Sequence, residues 1–144
     1  MTMDVHAAAK ARLEGVEQRY TSGRRELVDV LADAGRPLVV AEIVERRRGL
    51  AQSSAYRNLG VLEQAGVVRR VPGADEFVRY ELDEELTEHH HHLVCLNCGK
   101  VTDYTMSDQL ERSVKKAIDA ITSDTGFAPT AHQLDLFGLC ADCK

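Results

Sequence analysis

The sequence predicts an α+β protein: an N-terminal winged helix-turn-helix followed by a C-terminal α/β part. Three observations predict it. Apolar residues recur at helical spacing through successive segments of the first 65 residues. Two strand-like runs follow, VVRRV and EFVRYEL, joined by the turn-forming PGAD. After residue 82 the composition shifts, and strand-like segments flank one long amphipathic stretch. The limits that result are 1–82 for the winged helix, 83–88 (DEELTE) for an acidic linker, and 89–144 for the second unit.

Val5, Ala8, Ala9, Leu13 and Val16 predict a first helix over 4–19, broken by YTSGR at 20–24. Thr21 or Ser22 can cap a second helix carrying Leu27, Val28, Val30 and Leu31. ADAGRP at 32–37 stops it: Gly35 can close a helix and Pro37 cannot continue one. A third, over 39–48, turns Ile43 and Val44 inward and ends on Arg46, Arg47 and Arg48, which also suit the negative end of a helix dipole. A fourth, over 52–65, has Ser53 or Ser54 as caps, a buried stripe of Ala55, Leu59, Leu62 and Ala65, and a stop at Gly66. Two helices joined by a short turn, followed by a hairpin, place the second helix of the pair in the DNA major groove. In the second unit, HLVC and KVTDYT are strands around a C-x-x-C. Residues 107–123 form a helix with Leu110, Val114, Ala117, Ile118 and Ile121 on one face, and AHQLDLFGLC alternates into a second C-x-x-C. There is no internal repeat.

The 144 residues, 44% apolar, allow one domain or two small ones with a real core. No apolar run reaches 18 residues, and MTMDVHAAAKARLEG has no signal-peptide hydrophobic region, so a cytoplasmic protein without membrane contact is expected. Cysteines in that compartment stay reduced, which points C-x-x-C pairs to metal or redox chemistry. The net charge of −5 is uneven. Residues 1–80 carry 13 Lys and Arg against 11 Asp and Glu, and residues 81–144 carry 5 against 12. Twelve of the thirteen bases in the first part are Arg, the residue suited to phosphates and base edges. The acidic second part suits cations.

Cys95, Cys98, Cys140 and Cys143 form two C-x-x-C pairs, each presenting two thiolates on a tight turn. Together they make the tetrahedral donor set of a closed structural zinc site; a redox dithiol and a rubredoxin-like iron site are the alternatives. His89, His90, His91 and His92 run consecutively inside the chain, which excludes a terminal purification tag. In a strand their side chains alternate, so His90 and His92 face one way and His89 and His91 the other, serving two sites. Partners are available in Glu81, Asp83, Glu84, Glu85, Asp103, Glu111 and His132. Mixed sites of imidazole and carboxylate take Zn, Fe, Mn or Ni.

SSAYRNL at 53–59, AGVVRR at 65–70, RYEL at 79–82, HHHHLVCLNCGKVTDY at 89–104 and HQLDLFGLCADC at 132–143 resemble the ferric uptake regulator superfamily. Its members are dimeric, metal-dependent bacterial repressors with an N-terminal winged helix and a C-terminal α/β dimerisation domain. The resemblance spans nearly the whole chain. It implies structural zinc on the four cysteines, and a regulatory Zn(2+) or Fe(2+) held between domains by Glu81, His90, His92 and Asp103. It implies a further site on His89, His91, Glu111 and His132. It also implies DNA contacts from Arg24, Ser53, Ser54, Tyr56 and Arg57. The partners implied are double-stranded operator DNA and a second copy of the chain, with no small organic substrate. Two departures bear on the sensed metal. Leu38 stands where iron- and peroxide-sensing members carry a histidine, and no cysteine follows the wing as in many zinc sensors. The first favours zinc over iron. Asp83 is close behind Glu81, and two extra residues between RYEL and the histidine run keep Glu84 and Glu85 open as well. The competing functions are peroxide, manganese or nickel sensing within the same superfamily, and a zinc-dependent hydrolase; no nucleophile motif supports an enzyme.

Overall fold

The structure is a computed structural model and describes residues 4–144. The first three residues of the predicted 1–82 unit, and of the segment read for a signal peptide, lie outside the described residues. Helix α1 (Val5–Glu14) is capped by the Asp4 carboxylate, which accepts from the amides of His6 and Ala7. It buries Ala9 and Leu13 but ends five residues before the predicted limit, because the chain turns at Gly15 and Glu17 takes a left-handed φ of 60°. Val16 is thereby left outside the helix. Helix α2 (Ser22–Ala34) starts under the Thr21 hydroxyl and stops at Gly35, whose φ of 62° suits a residue without Cβ.

Strand β1 (Leu38–Val39) was not expected; two residues carry no periodicity to read. Helix α3 (Val40–Arg46) is shorter than predicted at both ends, and Arg47 leaves the helix to pair with Glu26 on α2. Helix α4 (Gln52–Gln64) buries Ala55, Leu59 and Leu62 as predicted. Its cap is Ala51, with no side-chain bond. Ser53 and Ser54 lie two and three residues past the cap, inside the first turn, which corrects that expectation. Strands β2 (Val68–Val71) and β3 (Arg79–Leu82) form the wing, with β1 on the far side in the order β1-β3-β2. The predicted strand over 76–82 begins only at Arg79.

β3 is buried along its whole length because both faces are covered. Tyr80 and Leu82 enter the helical core with Leu13, Leu27, Leu38, Ile43 and Leu62. Arg79 and Glu81 point the other way, toward the second unit. There Val71 packs with Val94 and Val101. The segment predicted as a linker holds a short 3₁₀ turn, Glu84–Leu86, with Leu86 buried against the helical core.

The second unit is a sheet of β4 (His91–Cys95), β5 (Val101–Tyr104) and β6 (Asp135–Gly138), ordered β5-β4-β6. β4 pairs antiparallel with β5 and parallel with β6, and helix α5 (Asp108–Thr125) makes the crossover. α5 is capped by Ser107 and closed by Gly126 at φ 73°. Its predicted apolar face exists, yet no α5 residue is buried in the single chain. Among the described residues no helix is long and apolar enough to cross a membrane.

Candidate metal centres

Strand alternation divides the histidine run. His91 and His92 open β4, His89 and His90 precede it, and the alternation carries through all four. Three clusters result: Cys95, Cys98, Cys140 and Cys143; Glu81, His90, His92 and Asp103; and His89, His91, Glu111 and His132. Within each, one ligand atom per residue lies within 4.8 Å of the others.

The cysteines are free thiols. Cys95 Sγ accepts from the amides of Cys98 and Cys140 at 3.5 and 3.4 Å. Those backbone hydrogen bonds, Cys140's first, draw the Cys95 thiol down to about 6 and favour the thiolate that a metal needs. Cys98 and Cys140 sulfurs are 3.9 Å apart. Four thiolates about 2.3 Å from a tetrahedral zinc stand roughly 3.8 Å from one another, so the donor set fits that ion.

In the second cluster Glu81 is 4% exposed and is held from both sides. Its Oε2 meets His90 Nε2 at 3.0 Å, and its Oε1 meets His92 Nε2 at 3.0 Å. Burial works to raise its carboxyl; the hydrogen bonds from His90 and His92, with the charges of His92 and Arg69, bring it down to about 2. The Glu81 hydrogen bond pushes His90 up to about 9 against burial. Burial opposes protonation of His92, and the same carboxylate overcomes it. Asp103 is shifted the opposite way, raised by burial and then by the charge of Glu81. Protons therefore supply the positive charge that the two carboxylates demand. Asp103 Oδ1 is buried with no hydrogen-bond partner, 3.6 Å from His92 Nε2. That gap is too long for a hydrogen bond and close to the roughly 3.4 Å between ligands of a tetrahedral ion at about 2.1 Å. The residues fit a divalent metal. His90 Nδ1 donates to the Glu88 carbonyl at 2.8 Å, which aims Nε2 into the cluster. A cleft lined by Leu31, Arg36, Glu81, His90 and Asp103 opens beside it.

In the third cluster Glu111, from the first turn of α5, meets His91 Nε2 at 2.6 Å and His132 Nε2 at 3.1 Å. His89 Nε2 is 3.0 Å from His132 Nε2, an approach of two imidazole edges that a shared cation would reconcile. His91 differs from its neighbours: its Nδ1 accepts from the Leu134 amide at 3.2 Å, which fixes the orientation of the ring beside Glu111. Glu84 lies here, 3.1 Å from His89 Nδ1, and Glu85 pairs with Arg12. Of the four carboxylates left open, Glu81 alone reaches His90 and His92, and Asp83 faces Arg12.

Tyr56 and Arg57 stand exposed on α4, Tyr56 at 52%. Ser53 is exposed and Ser54 half-buried. Arg24 donates to Asn58 Oδ1 on α4 at 3.1 Å and to the Arg19 carbonyl at 2.7 Å, so its guanidinium braces this helix. Sequence reasoning missed Arg69: it lies opposite Glu81 in the wing, its Nη2 2.7 Å from Glu81 Oε1. The RR of AGVVRR entered only as part of a strand-like run and of the family resemblance; the signal was the register across the hairpin.

Comparison with known proteins bears on all of this. The model of the ferric uptake regulator family matches residues 16–137. The ferric uptake regulation protein of Synechococcus elongatus is 30% identical over 145 residues, 96% of this chain and 94% of that one. The peroxide-responsive repressor PerR of Staphylococcus saprophyticus is 30% identical over 97 residues, 66% of this chain and 59% of that relative. Among solved structures, the Helicobacter pylori ferric uptake regulator, described as having three functional metal binding sites, superposes with a TM-score of 0.75 at 23% identity, covering 99% of this chain and 93% of that one. A zinc-bound manganese uptake regulator superposes at 0.66 with 26% identity, over 95% and 99%. The family model covers most of the chain, and relatives match it nearly end to end: this chain belongs to the ferric uptake regulator family.

Proposed function

We propose that the protein is a homodimeric repressor whose binding to operator DNA is gated by a divalent metal, Zn(2+) or Fe(2+), at Glu81, His90, His92 and Asp103. One observation carries this reading: the cluster is drawn from both units. Glu81 belongs to the wing strand β3, while His92 on β4, Asp103 on β5 and His90 just before β4 belong to the second unit. When bound, the metal supplies charge that satisfies both carboxylates at once. Glu81 then ties the wing to the second sheet, and the angle between the two is fixed. In a dimer that angle sets the separation of two α4 helices, and half-sites on DNA need one spacing.

In the same reading Cys95, Cys98, Cys140 and Cys143 hold structural zinc. His89, His91, Glu111 and His132 form a further site that joins α5 to β4. Tyr56, Arg57, Ser53 and Ser54 meet the duplex, and Arg24 acts from behind α4. The homodimer accounts for the apolar face left uncovered on α5 and β6. Peroxide sensing, by oxidation of His90 or His92 beside ferrous iron, is the second reading, favoured by the relative named as a peroxide-responsive repressor.

The test is fluorescence anisotropy of the protein, cysteine-bound zinc retained, on its own upstream DNA at buffered free Zn(II) and, anaerobically, Fe(II). One metal should switch binding on at low free concentration, and His90→Ala with His92→Ala should abolish the switch in a folded protein. Equal binding with and without metal would remove the gating role. Oxygen added to a histidine peptide after peroxide would select the second reading.

A further inference from the structure

We propose that Arg69 is a tethered counter-cation of the inter-domain site, competing with the divalent ion for Glu81 and so raising the metal level at which the site fills. This rests on the reading of Glu81, His90, His92 and Asp103 as a metal site.

The β2–β3 register sets Arg69 directly across from Glu81, on the same face of the wing. Two guanidinium nitrogens reach one carboxylate oxygen: Nη2 at 2.7 Å and Nε at 2.8 Å from Oε1. His92 Nε2 reaches the same atom at 3.0 Å. A carboxylate oxygen has two lone pairs, and three donors already crowd this one. For Oε1 to ligate a metal, at least one of them must withdraw.

Charge leads to the same conclusion. The carboxylates of Glu81 and Asp103 offset a divalent ion when both histidines are neutral. The Arg69 guanidinium is permanently charged. Left at hydrogen-bond distance from Glu81, it places a third positive charge beside a donor set that balances two.

The structure also offers Arg69 another anion. Its Nη1 lies 3.9 Å from Glu84 Oε2, and its side chain is 27% exposed, with room to turn. The next carboxylates of the same turn, Asp83 and Glu85, are paired with Arg12, at 3.5 and 2.6 Å. Glu84 is therefore the one on which Arg69 comes to rest. Glu84 is also the acceptor that orients His89, at 3.1 Å from Nδ1. A guanidinium arriving on Glu84 draws that carboxylate from His89, a member of the other histidine cluster. Filling the inter-domain site thus weakens the other, and by reciprocity the converse holds.

The test is a Co(II) titration of the full-length protein, zinc retained on its cysteines, against a competing chelator. The inter-domain signal is identified by its loss in His90→Ala. Arg69→Met should bind Co(II) there about tenfold more tightly or better, the expected scale for removing a charge-assisted competitor. Arg69→Gln, which keeps a donor without the charge, should do the same. Glu84→Gln removes the resting place and should weaken the site, although Glu84 is no ligand there; Arg69→Met combined with Glu84→Gln should bind as tightly as Arg69→Met alone. Unchanged or weaker binding in both Arg69 variants, with zinc content and circular dichroism intact, overturns the proposal and makes Arg69 a prop for Glu81. A wild-type protein with no Co(II) signal sensitive to His90→Ala defeats the site reading itself, and the inference with it.

Discussion

Asp75 and Arg79 form an ion pair of the wing that lies against the second unit at Gly99. Arg79 is 7% exposed on the outer face of β3, and its two terminal nitrogens meet the two oxygens of Asp75 at 2.7 and 2.8 Å. The Asp75 carboxylate lies hard against Gly99, the residue after the first C-x-x-C, whose φ is 77°. A Cβ at Gly99 would collide with that carboxylate. The Asp75 carboxyl is held below its usual range, chiefly by the hydrogen bond from Arg79. A depressed carboxyl stabilises the fold above its unfolded value and loses that contribution as pH falls through its folded value. Asp75→Asn should therefore cost about 0.5–1 kcal/mol at neutral pH, the upper part of the range for a solvent-screened ion pair. The gap in melting temperature to wild type should close as pH drops below about 4. A gap independent of pH would show that the pair acts by shape alone.

At the scale of elements, α5 and β6 present what the single chain cannot bury. Leu110 and Ile121 on α5, and Leu134, Leu136, Phe137 and Leu139 around β6, are exposed, Phe137 at 60%. In the proposed homodimer this concentrated apolar surface is the interface. Phe137→Glu should raise the dimer dissociation constant about thirtyfold or more, an interface hot spot being worth about 2 kcal/mol. Sedimentation of variant and wild type decides it, and an unchanged dimer would place the interface elsewhere. The elements themselves were legible to different degrees. The stripes of α2 and α4 were read residue by residue, since a helix writes its buried face into the sequence every third or fourth position. β1 left no trace in two residues, and the true start of α4 was hidden because Ala51 caps it without a side chain. In the candidate sites, the division of the four histidines followed from strand alternation alone. The engagement of Glu84 with His89, and of Arg69 with Glu81, depended on turn geometry and hairpin register that no local pattern announces.

For the whole molecule, the proposed function makes one thermodynamic demand. If metal between wing and second sheet favours the DNA-binding form, then operator DNA must tighten metal binding by the same factor. Typical couplings of about 1–3 kcal/mol correspond to roughly 5- to 150-fold. Chelator competition with and without operator duplex measures it, and equal affinities would exclude gating through this site. The arrangement of β4 carries a further consequence. Four identical side chains in a row mark their own alignment poorly: sliding β4 by one residue would still offer an imidazole at three of the four positions. What distinguishes the correct alignment lies downstream, where Val94 packs with Val71 and Val101 and Cys95 ends the strand within reach of Cys98, Cys140 and Cys143. The four-cysteine knot therefore does more than fasten a tail. In the proposed reading it also helps to index the histidine run, so that each imidazole is delivered to its own cluster.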